Sequence, residues 1–168
     1  MQPNGQEMHI RSESDKVIEE KIELYSDMVY RIAYSMTSKK ADAEDVYQEV
    51  FMKPYNNQKE FETQEHEKAW IIRVTVNECK MIHRKSLFRK EVELDENIGY
   101  QNEKDDYVFS CVKKLPEKYR IVIYMHYYEG YKVEEIAKIL KSTTGTVKSQ
   151  LSRSRAMLKD IMGGDLDE

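Results

Sequence analysis

The chain lacks any apolar stretch that approaches the roughly 20 residues needed to cross a bilayer. Its first residues, MQPNGQEMHIRSES, are polar and contain no apolar core of the kind that a signal peptide has. Both absences argue against insertion into a membrane and against export. We therefore expect a cytoplasmic protein.

Residues that carry enzyme chemistry are also scarce. The two cysteines, Cys79 and Cys111, lie far apart and lack CxxC spacing, which suits a reduced compartment and a role as small core hydrophobes. The four histidines are scattered without metal-ligand spacing. The sequence also shows no nucleophile–base pair and no phosphate-binding loop. We expect a protein that is not an enzyme and that uses neither a metal nor another cofactor.

Charge is distributed in blocks along the chain. The net charge is −4, but residues 68–90 hold seven Lys or Arg against Glu78 alone. Residues 91–106 then hold seven Asp or Glu against Lys104 alone. Because a phosphate backbone responds to the local patch and not to the total charge, the negative net charge does not exclude nucleic-acid binding.

Apolar residues recur at helical spacing, and no strand pattern or internal repeat is present. The fold class predicted is all-α, with two small helical domains joined by an acidic linker. We expect a flexible tail over 1–14, a first domain over 15–88, the linker over 89–102, a second domain over 103–162 and a frayed tail over 163–168.

Three helices are predicted in the first domain, over about 15–37, 41–54 and 64–87. Pro54 marks an end or a kink of the second, because proline removes a helical hydrogen bond and clashes with the preceding turn. The buried stripe of the first helix is predicted to comprise Tyr25, Met28, Val29, Ile32, Ala33 and Met36.

The second predicted helix has an acidic and amide face, formed by Asp42, Asp45, Gln48 and Glu49. Its opposite side can pack into a core through Ala43, Val46, Tyr47 and Val50. An exposed acidic face is usually only solvated surface. The alternative is a docking surface for a basic partner, since complementary charge speeds and orients association.

The third predicted helix is apolar around most of its circumference, including Met81. One cationic strip breaks this pattern, with spacings of four, three and four: Arg73, Asn77, Lys80 and Arg84. The strip indicates an edge that faces a ligand, and the alternative is pairing with carboxylates elsewhere in the bundle. The preceding loop, 55–62, is rich in amides with an aromatic, which is weak evidence for binding unstacked bases.

The last third of the chain has the pattern of a helix-turn-helix, with a helix over 133–140, a turn over 141–143 and a helix from Thr144. On the second helix the predicted inward residues are Val147, Leu151, Ser154, Leu158 and Ile161. The opposite side carries Lys148, Ser149, Ser152, Arg155 and Lys159, with Arg153 on the flank. Between Lys138 and Lys159 there are six cations and no Asp or Glu. Such a helix suits the DNA major groove, and the alternative is a solvated basic helix in a bundle.

Three segments together resemble the extracytoplasmic-function sigma factors of the sigma-70 family. They are DAEDVYQEVF (42–51), EKAWIIRVTVNECKMIHRK (67–85) and LPEKYRIVIYMHYYEGYKVEEIAKILKSTTGTVKSQLSRSRAMLK (115–159). Their order and spacing match the family from about Tyr25 to Ile161. The resemblance implies a transcription initiation factor that binds core RNA polymerase and directs it to specific promoters.

The resemblance also implies roles for individual residues. Core polymerase would bind Asp42, Asp45, Gln48 and Glu49. The melted minus-ten promoter element, with one flipped base, would bind Asn56, Asn57, Phe61, Arg73, Asn77, Lys80 and Arg84. The minus-thirty-five element would be read as duplex by Thr146, Lys148, Ser149, Gln150, Ser152, Arg153 and Arg155. An anti-sigma factor, often membrane-anchored in this family, would cover both polymerase-binding surfaces.

Two departures from the family pattern limit what carries over. Pro54 stands where the family continues the helix with an apolar residue, which puts the entry to the base-capturing loop in doubt. Gln150 and Ser152 occupy positions that vary among relatives, so no promoter sequence is implied. Two other functions stay open: a stand-alone helix-turn-helix regulator that binds a palindrome as a dimer, and a helical adaptor that sequesters polymerase without binding DNA.

Overall fold

The computed structural model describes residues 13–37, 39–52, 60–89 and 103–164. All regular structure in these ranges is helical, which confirms the predicted all-α fold. A π-helical segment, Tyr124–Tyr128, directly continues the fifth α-helix. The α-helices are α1 (Glu13–Met36), α2 (Lys40–Met52), α3 (Gln64–Arg89), α4 (Glu103–Lys113), α5 (Glu117–Ile123), α6 (Val133–Ile139) and α7 (Thr144–Gly164).

The helix boundaries correct the sequence prediction at three ends. α1 begins at Glu13, within the predicted tail, because acidic residues in a first turn interact favourably with the helix dipole. α3 runs one residue into the predicted linker, to Arg89. α7 continues through Gly163 and Gly164, which were predicted to be frayed, because glycine weakens a helix without preventing it. Pro54, predicted to end or kink the second helix, lies outside the described residues, as do residues 90–102 of the predicted linker.

The N-terminal bundle consists of α1, α2 and α3. All six residues predicted for the buried stripe of α1 are buried, which confirms that prediction. Met81 is 44% exposed, so the apolar circumference predicted for α3 does not extend to it. Burying each large apolar side chain contributes about 1.5–3 kcal/mol. The core residues of the other two helices are Ala43, Val46, Val50 and Phe51 from α2 and Ile71, Ile72, Val76 and Cys79 from α3.

A buried carboxylate joins α1 to the start of α3. The Tyr25 hydroxyl donates a hydrogen bond to Glu67 across 3.1 Å, and Lys21 forms an ion pair with the same carboxylate. Burial, followed by the neighbouring Glu67, raises the pKa of Tyr25 to about 12. Since a buried charge is costly unless it is paired and hydrogen-bonded, these two partners allow Glu67 to remain in the bundle.

The C-terminal bundle is built around α5 and the π-helical segment. All seven residues from Tyr119 to Met125 are buried, so this stretch is enclosed on every side. The π-helical segment ends with a hydrogen bond from the Glu129 amide to the Tyr124 carbonyl, at 3.2 Å. Gly130 follows with φ of 72°, a conformation that glycine adopts without a Cβ penalty. A left-handed glycine of this kind is common directly after a helix.

The two bundles pack against each other through the C-terminal end of α1. Tyr34 and Ser35 are both buried although they lie outside the predicted stripe, because the C-terminal bundle covers this end of the helix. The Tyr34 ring stacks on Phe109 with centroids 5.4 Å apart. The Lys113 ammonium lies 3.7 Å from the Tyr34 ring centroid, a favourable contact between a cation and an aromatic face.

Polar contacts also cross between the bundles. Arg120 on α5 is buried, and its Nη1 donates to the Ser35 carbonyl at 2.9 Å. Its Nε has no hydrogen-bond partner in the described residues, and burial lowers the pKa of Arg120. On another side, the Lys68 ammonium lies 2.8 Å from the Glu129 carboxylate. The guanidinium of Arg120 is thus a partly satisfied buried charge that depends on the end of α1 for its partner.

We expect Arg120→Ala to lower the free energy of unfolding by about 2 kcal/mol, because it removes a buried hydrogen bond and leaves a cavity. Urea unfolding followed by circular dichroism measures this. The matched control is Lys138→Ala, at an exposed position of α6, which should change the value by less than about 0.5 kcal/mol. Equal urea midpoints for the two variants would contradict the assigned role of Arg120.

Candidate nucleic-acid and partner interfaces

The helix-turn-helix forms as predicted, from α6, a turn and α7. Val147, Leu151 and Ser154 are buried, while Leu158 and Ile161 are half-buried, so the predicted inward face of α7 is confirmed. Gln150 is half-buried at the edge of this face. The exposed residues of the opposite side are Thr146, Lys148, Ser149, Ser152, Arg153, Arg155 and Lys159.

The turn before α7 fixes the direction in which this helix leaves the bundle. The Thr143 hydroxyl accepts a hydrogen bond from the Thr146 amide at 3.1 Å, which caps the first turn of α7. A cap of this kind contributes about 1 kcal/mol. At the end of α6, the Ser142 amide donates to the Ala137 carbonyl at 2.8 Å. These bonds hold the two helices of the motif at one angle.

Lys141 in this turn has a left-handed backbone, with φ of 51°. Glycine usually occupies such a position after a helix, because a side chain there costs about 1–2 kcal/mol. The sequence predicted a turn at 141–143 but not this conformation. Lys141 therefore places a charged side chain where the backbone alone favours glycine.

Two arginines of α7 lie beside tyrosines of the same bundle. The Arg155 guanidinium donates to the Tyr127 hydroxyl at 3.1 Å. The neighbouring Arg153 guanidinium holds the pKa of Tyr119 below its usual value. Helical periodicity could not show that these tyrosines lie beside the two arginines.

The acidic face of α2 points outward. Asp45, Gln48 and Glu49 are exposed and Asp42 is half-buried, while Ala43, Val46 and Val50 are buried beneath them. None of the three carboxylates has an ion-pair partner among the residues that the structure describes. By contrast, Glu44 on the same helix lies 3.7 Å from Lys40. The face is thus a cluster of negative charge without ion pairs in the described part of the chain, and it suits a basic partner.

The cationic strip of α3 has a mixed environment. Asn77, Lys80 and Arg84 are exposed, but Arg73 is half-buried and its Nε donates to the Ile139 carbonyl at 3.0 Å. That carbonyl belongs to the last turn of α6, where helix carbonyls lack partners and cations are favoured. The first member of the strip therefore binds the C-terminal bundle through a backbone carbonyl.

The residues predicted to capture a flipped base are described only in part. Asn56 and Asn57 lie outside the described residues. Phe61 is half-buried, with its ring centroid 5.5 Å from that of Trp70 on α3. This contact anchors the end of the loop to the helix that carries the strip.

A cleft of about 610 Å³ lies between the two bundles. It brings together residues that the sequence assigned to different DNA sites, with Lys80 and Arg84 from α3 near Gln150 from α7. Two further lysines and a histidine line it too, and the sequence reasoning had not singled them out as a group: Lys118, Lys141 and His83. Only packing of the bundles brings these residues together, so no linear motif could have indicated them.

Two other kinds of site, a membrane span and a metal centre, are not found among the described residues. In the ranges that the structure covers, no helix has the length and apolar character to span a bilayer. Within those same ranges, no group of three or more His, Cys, Asp or Glu could hold a metal ion. Cys79 and Cys111 are free and buried, and burial raises the pKa of Cys79 to about 12, which keeps this thiol protonated.

Known proteins are similar to this chain in sequence and in fold. ECF RNA polymerase sigma factor SigW of Bacillus subtilis is 27% identical over 158 residues, covering 82% of this chain and 84% of the relative. The ECF RNA polymerase sigma-E factor of Escherichia coli is 29% identical over 134 residues, covering 68% and 70%.

Two solved structures show the same fold. The sigma factor RpoE in complex with the anti-sigma factor NepR, from Bartonella quintana, has a TM-score of 0.72 at 24% identity, covering 88% of this chain and 98% of that one. CnrH in complex with the cytosolic domain of CnrY has a TM-score of 0.66 at 20% identity, covering 92% of each chain.

The fold and its charged faces define an all-helical DNA-binding protein with a C-terminal helix-turn-helix. The model of sigma-70 region 2 matches residues 22–87, and the model of sigma-70 region 4 matches residues 106–158. The chain therefore belongs to the sigma-70 family, in its group of extracytoplasmic-function sigma factors.

Proposed function

We propose that this protein binds core RNA polymerase through the acidic face of α2 and directs it to promoters with surfaces on α3 and α7. One observation carries the proposal: both sigma regions occur in order, each with an exposed charged face of the sign that its partner requires. The matched ranges fall inside 15–88 and 103–162, which supports these as the limits of the two functional domains, with 89–102 as their linker.

The proposed polymerase contacts are Asp42, Asp45, Gln48 and Glu49. The carboxylates of this set have no ion-pair partner in the described residues. Their negative charge is therefore available to a basic surface of the polymerase. Rim charges of this kind mainly raise the association rate and select orientation. The buried side of α2 holds the face on a rigid helix.

The proposed minus-ten contacts lie on α3 and on the loop before it. Asn77, Lys80 and Arg84 can reach phosphates and base edges of a melted strand, and Asn56 and Asn57 with Phe61 would receive a flipped base. Unstacking a base costs a few kcal/mol, so a fitted pocket would couple melting to sequence choice. Arg73 would join this surface only after releasing the Ile139 carbonyl.

The proposed minus-thirty-five contacts lie on α7, whose N-terminal half would enter the major groove. Lys148 and Ser152 are exposed there and can reach base edges or phosphates, as can Thr146, Ser149, Gln150 and Arg153. Arg155 would lie near the phosphate backbone.

We infer that the chain is not itself an enzyme and needs no cofactor, since it supplies recognition while the polymerase supplies the chemistry. Its place of action would be the cytoplasm.

The first experiment is transcription by sigma-free bacterial core polymerase on fragmented DNA from the source organism, with and without the protein. We expect discrete transcript starts that depend on the protein and share upstream motifs. Binding to core polymerase without any new start would instead support a sequestering adaptor. Absence of core binding, together with a stable dimer on a palindrome, would support a stand-alone regulator.

Removing a positive charge from α7 tests whether these transcript starts depend on contact between this helix and DNA. Lys148→Ala should reduce transcript yield at least tenfold, equivalent to about 1.4 kcal/mol, because it removes a proposed groove contact. Lys159→Ala removes an exposed cation three turns further along α7, outside the proposed contacts, and should leave the yield within about twofold. An adaptor that does not use DNA would be insensitive to both changes.

Charge reversal on α2 tests the polymerase-binding surface separately. Asp45→Lys with Glu49→Lys should weaken binding to core polymerase at least tenfold, about 1.4 kcal/mol, because like charges then face the basic partner. Glu44→Lys is the matched control, since Glu44 is exposed on the same helix outside the acidic face. Biolayer interferometry with immobilised core polymerase compares the three proteins. Equal affinities would remove the acidic face from the proposal.

We also propose an anti-sigma factor as a partner, as in the two solved complexes of similar fold. It would cover the polymerase-binding surfaces and could be membrane-anchored, while this chain itself would not insert into the membrane. Affinity capture from cells of the source organism, with mass spectrometry, should recover a protein that competes with core polymerase. Capture that yields core polymerase subunits and no such competitor would contradict this partner.

A further inference from the structure

The cleft between the bundles contains an excess of positive charge. It is lined by the end of α1, by α3, by the start of α5, and by the turn and second helix of the helix-turn-helix. Among the described residues, Glu117 is the one acidic residue that lines it. The basic residues are five, namely the cations Lys80, Arg84, Lys118 and Lys141 and the imidazole of His83.

These basic groups are not neutralised within the described part of the chain. None of the five is ion-paired with a carboxylate there. They also come from both sides, with Lys80 and Arg84 on the N-terminal bundle and Lys118 and Lys141 on the C-terminal bundle. Like charges that face each other across a cleft repel, and an anion between them replaces this repulsion with attraction on both sides.

Lys141 contributes its cation from the turn after α6, where the hydrogen bond from the Ser142 amide to the Ala137 carbonyl favours a left-handed residue. Its left-handed backbone, φ of 51°, is a conformation in which glycine is favoured over any residue with a side chain. Lys141 occupies this position and lines the cleft.

We propose that the cleft binds a small multivalent anion of the oligophosphate class, bridging Lys80 and Arg84 of α3 to Lys118 and Lys141 of the C-terminal bundle. A volume of about 610 Å³ suits a small molecule. Phosphate oxygens accept strong hydrogen bonds from ammonium and guanidinium groups. The lining also includes Met36, Ile121 and Leu140, an apolar surface on which a nucleoside attached to the phosphates could lie.

A bound anion would hold the two bundles together. It would also occupy Lys80, Arg84 and Gln150, which are proposed DNA contacts, so that the ligand and promoter DNA would exclude each other. This consequence rests on the proposed function, whereas anion binding does not. The test therefore measures binding to the full chain without polymerase or promoter.

The probe is inorganic tripolyphosphate, added to the full chain in calorimetric titration and thermal unfolding, with sodium chloride at equal ionic strength as reference. We expect saturable binding at one site and a higher unfolding temperature. Lys118→Gln with Lys141→Gln should weaken binding at least tenfold. Lys138→Gln with Lys159→Gln, an equal charge change at exposed positions outside the cleft, should bind like the unmodified protein. The proposal would be overturned if sodium chloride raised the unfolding temperature as much as tripolyphosphate does. It would also be overturned if the two double variants bound tripolyphosphate with equal affinity.

Two further ligands identify the source of the phosphates. ATP that binds more tightly than tripolyphosphate would assign the cleft to a nucleotide, and weaker binding of ATP would assign it to a free oligophosphate. A twenty-nucleotide oligothymidine that binds through Lys118 and Lys141 more tightly than either would overturn the small-anion proposal in favour of single-stranded DNA.

Lys141→Gly separates loss of the site from loss of the fold. Glycine relieves the left-handed strain, so the variant should be at least as resistant to urea as the unmodified protein in the absence of anion. Its affinity for tripolyphosphate should nevertheless fall severalfold. A stable Lys141→Gly protein that binds tripolyphosphate with unchanged affinity would show that Lys141 does not contribute to the site.

Discussion

The arrangement of the two bundles depends on the contact between Arg120 and the end of α1. A buried guanidinium donates to the Ser35 carbonyl at 2.9 Å, beside the stack of Tyr34 on Phe109. A charge removed from water must find partners nearby, and the hydrogen bond that Arg120 donates to Ser35 lies on the other bundle. This requirement restricts where α5 can lie, and α5 is the helix around which the C-terminal bundle is built.

The same packing links the surfaces proposed for promoter recognition. Arg73 donates to the last turn of α6, and the exposed part of its strip borders the cleft beside the helix-turn-helix. The surfaces proposed for the two promoter elements are therefore linked in this conformation, because Arg73 binds α6 and Lys80 and Arg84 share a cleft with Gln150. In the proposed function, binding of DNA would supply the free energy that releases Arg73 from α6.

Local patterns in the sequence predicted much of the fold. Periodicity identified the buried stripe of α1 and the inward face of α7, because each helix buries one face against its own bundle. It failed at Tyr34 and Ser35, which are buried by a bundle distant in sequence. It also could not reveal the π-helical turn at Tyr124–Tyr128, the left-handed Lys141 or the Arg153 contact with Tyr119, since these depend on tertiary packing.

By itself, the sequence determined the all-helical fold, the order of the two sigma regions and the sign of each charged face. These follow from helical spacing, charge blocks and motif order, which are local properties of the chain. Tertiary structure alone decided which cations share a cleft, which arginines are held by neighbours and how the bundles meet. The physical reason is that residues far along the chain set the burial and the electrostatic environment of a side chain. Lys80 and Lys141 are an example, because they are distant in sequence and line the same cleft.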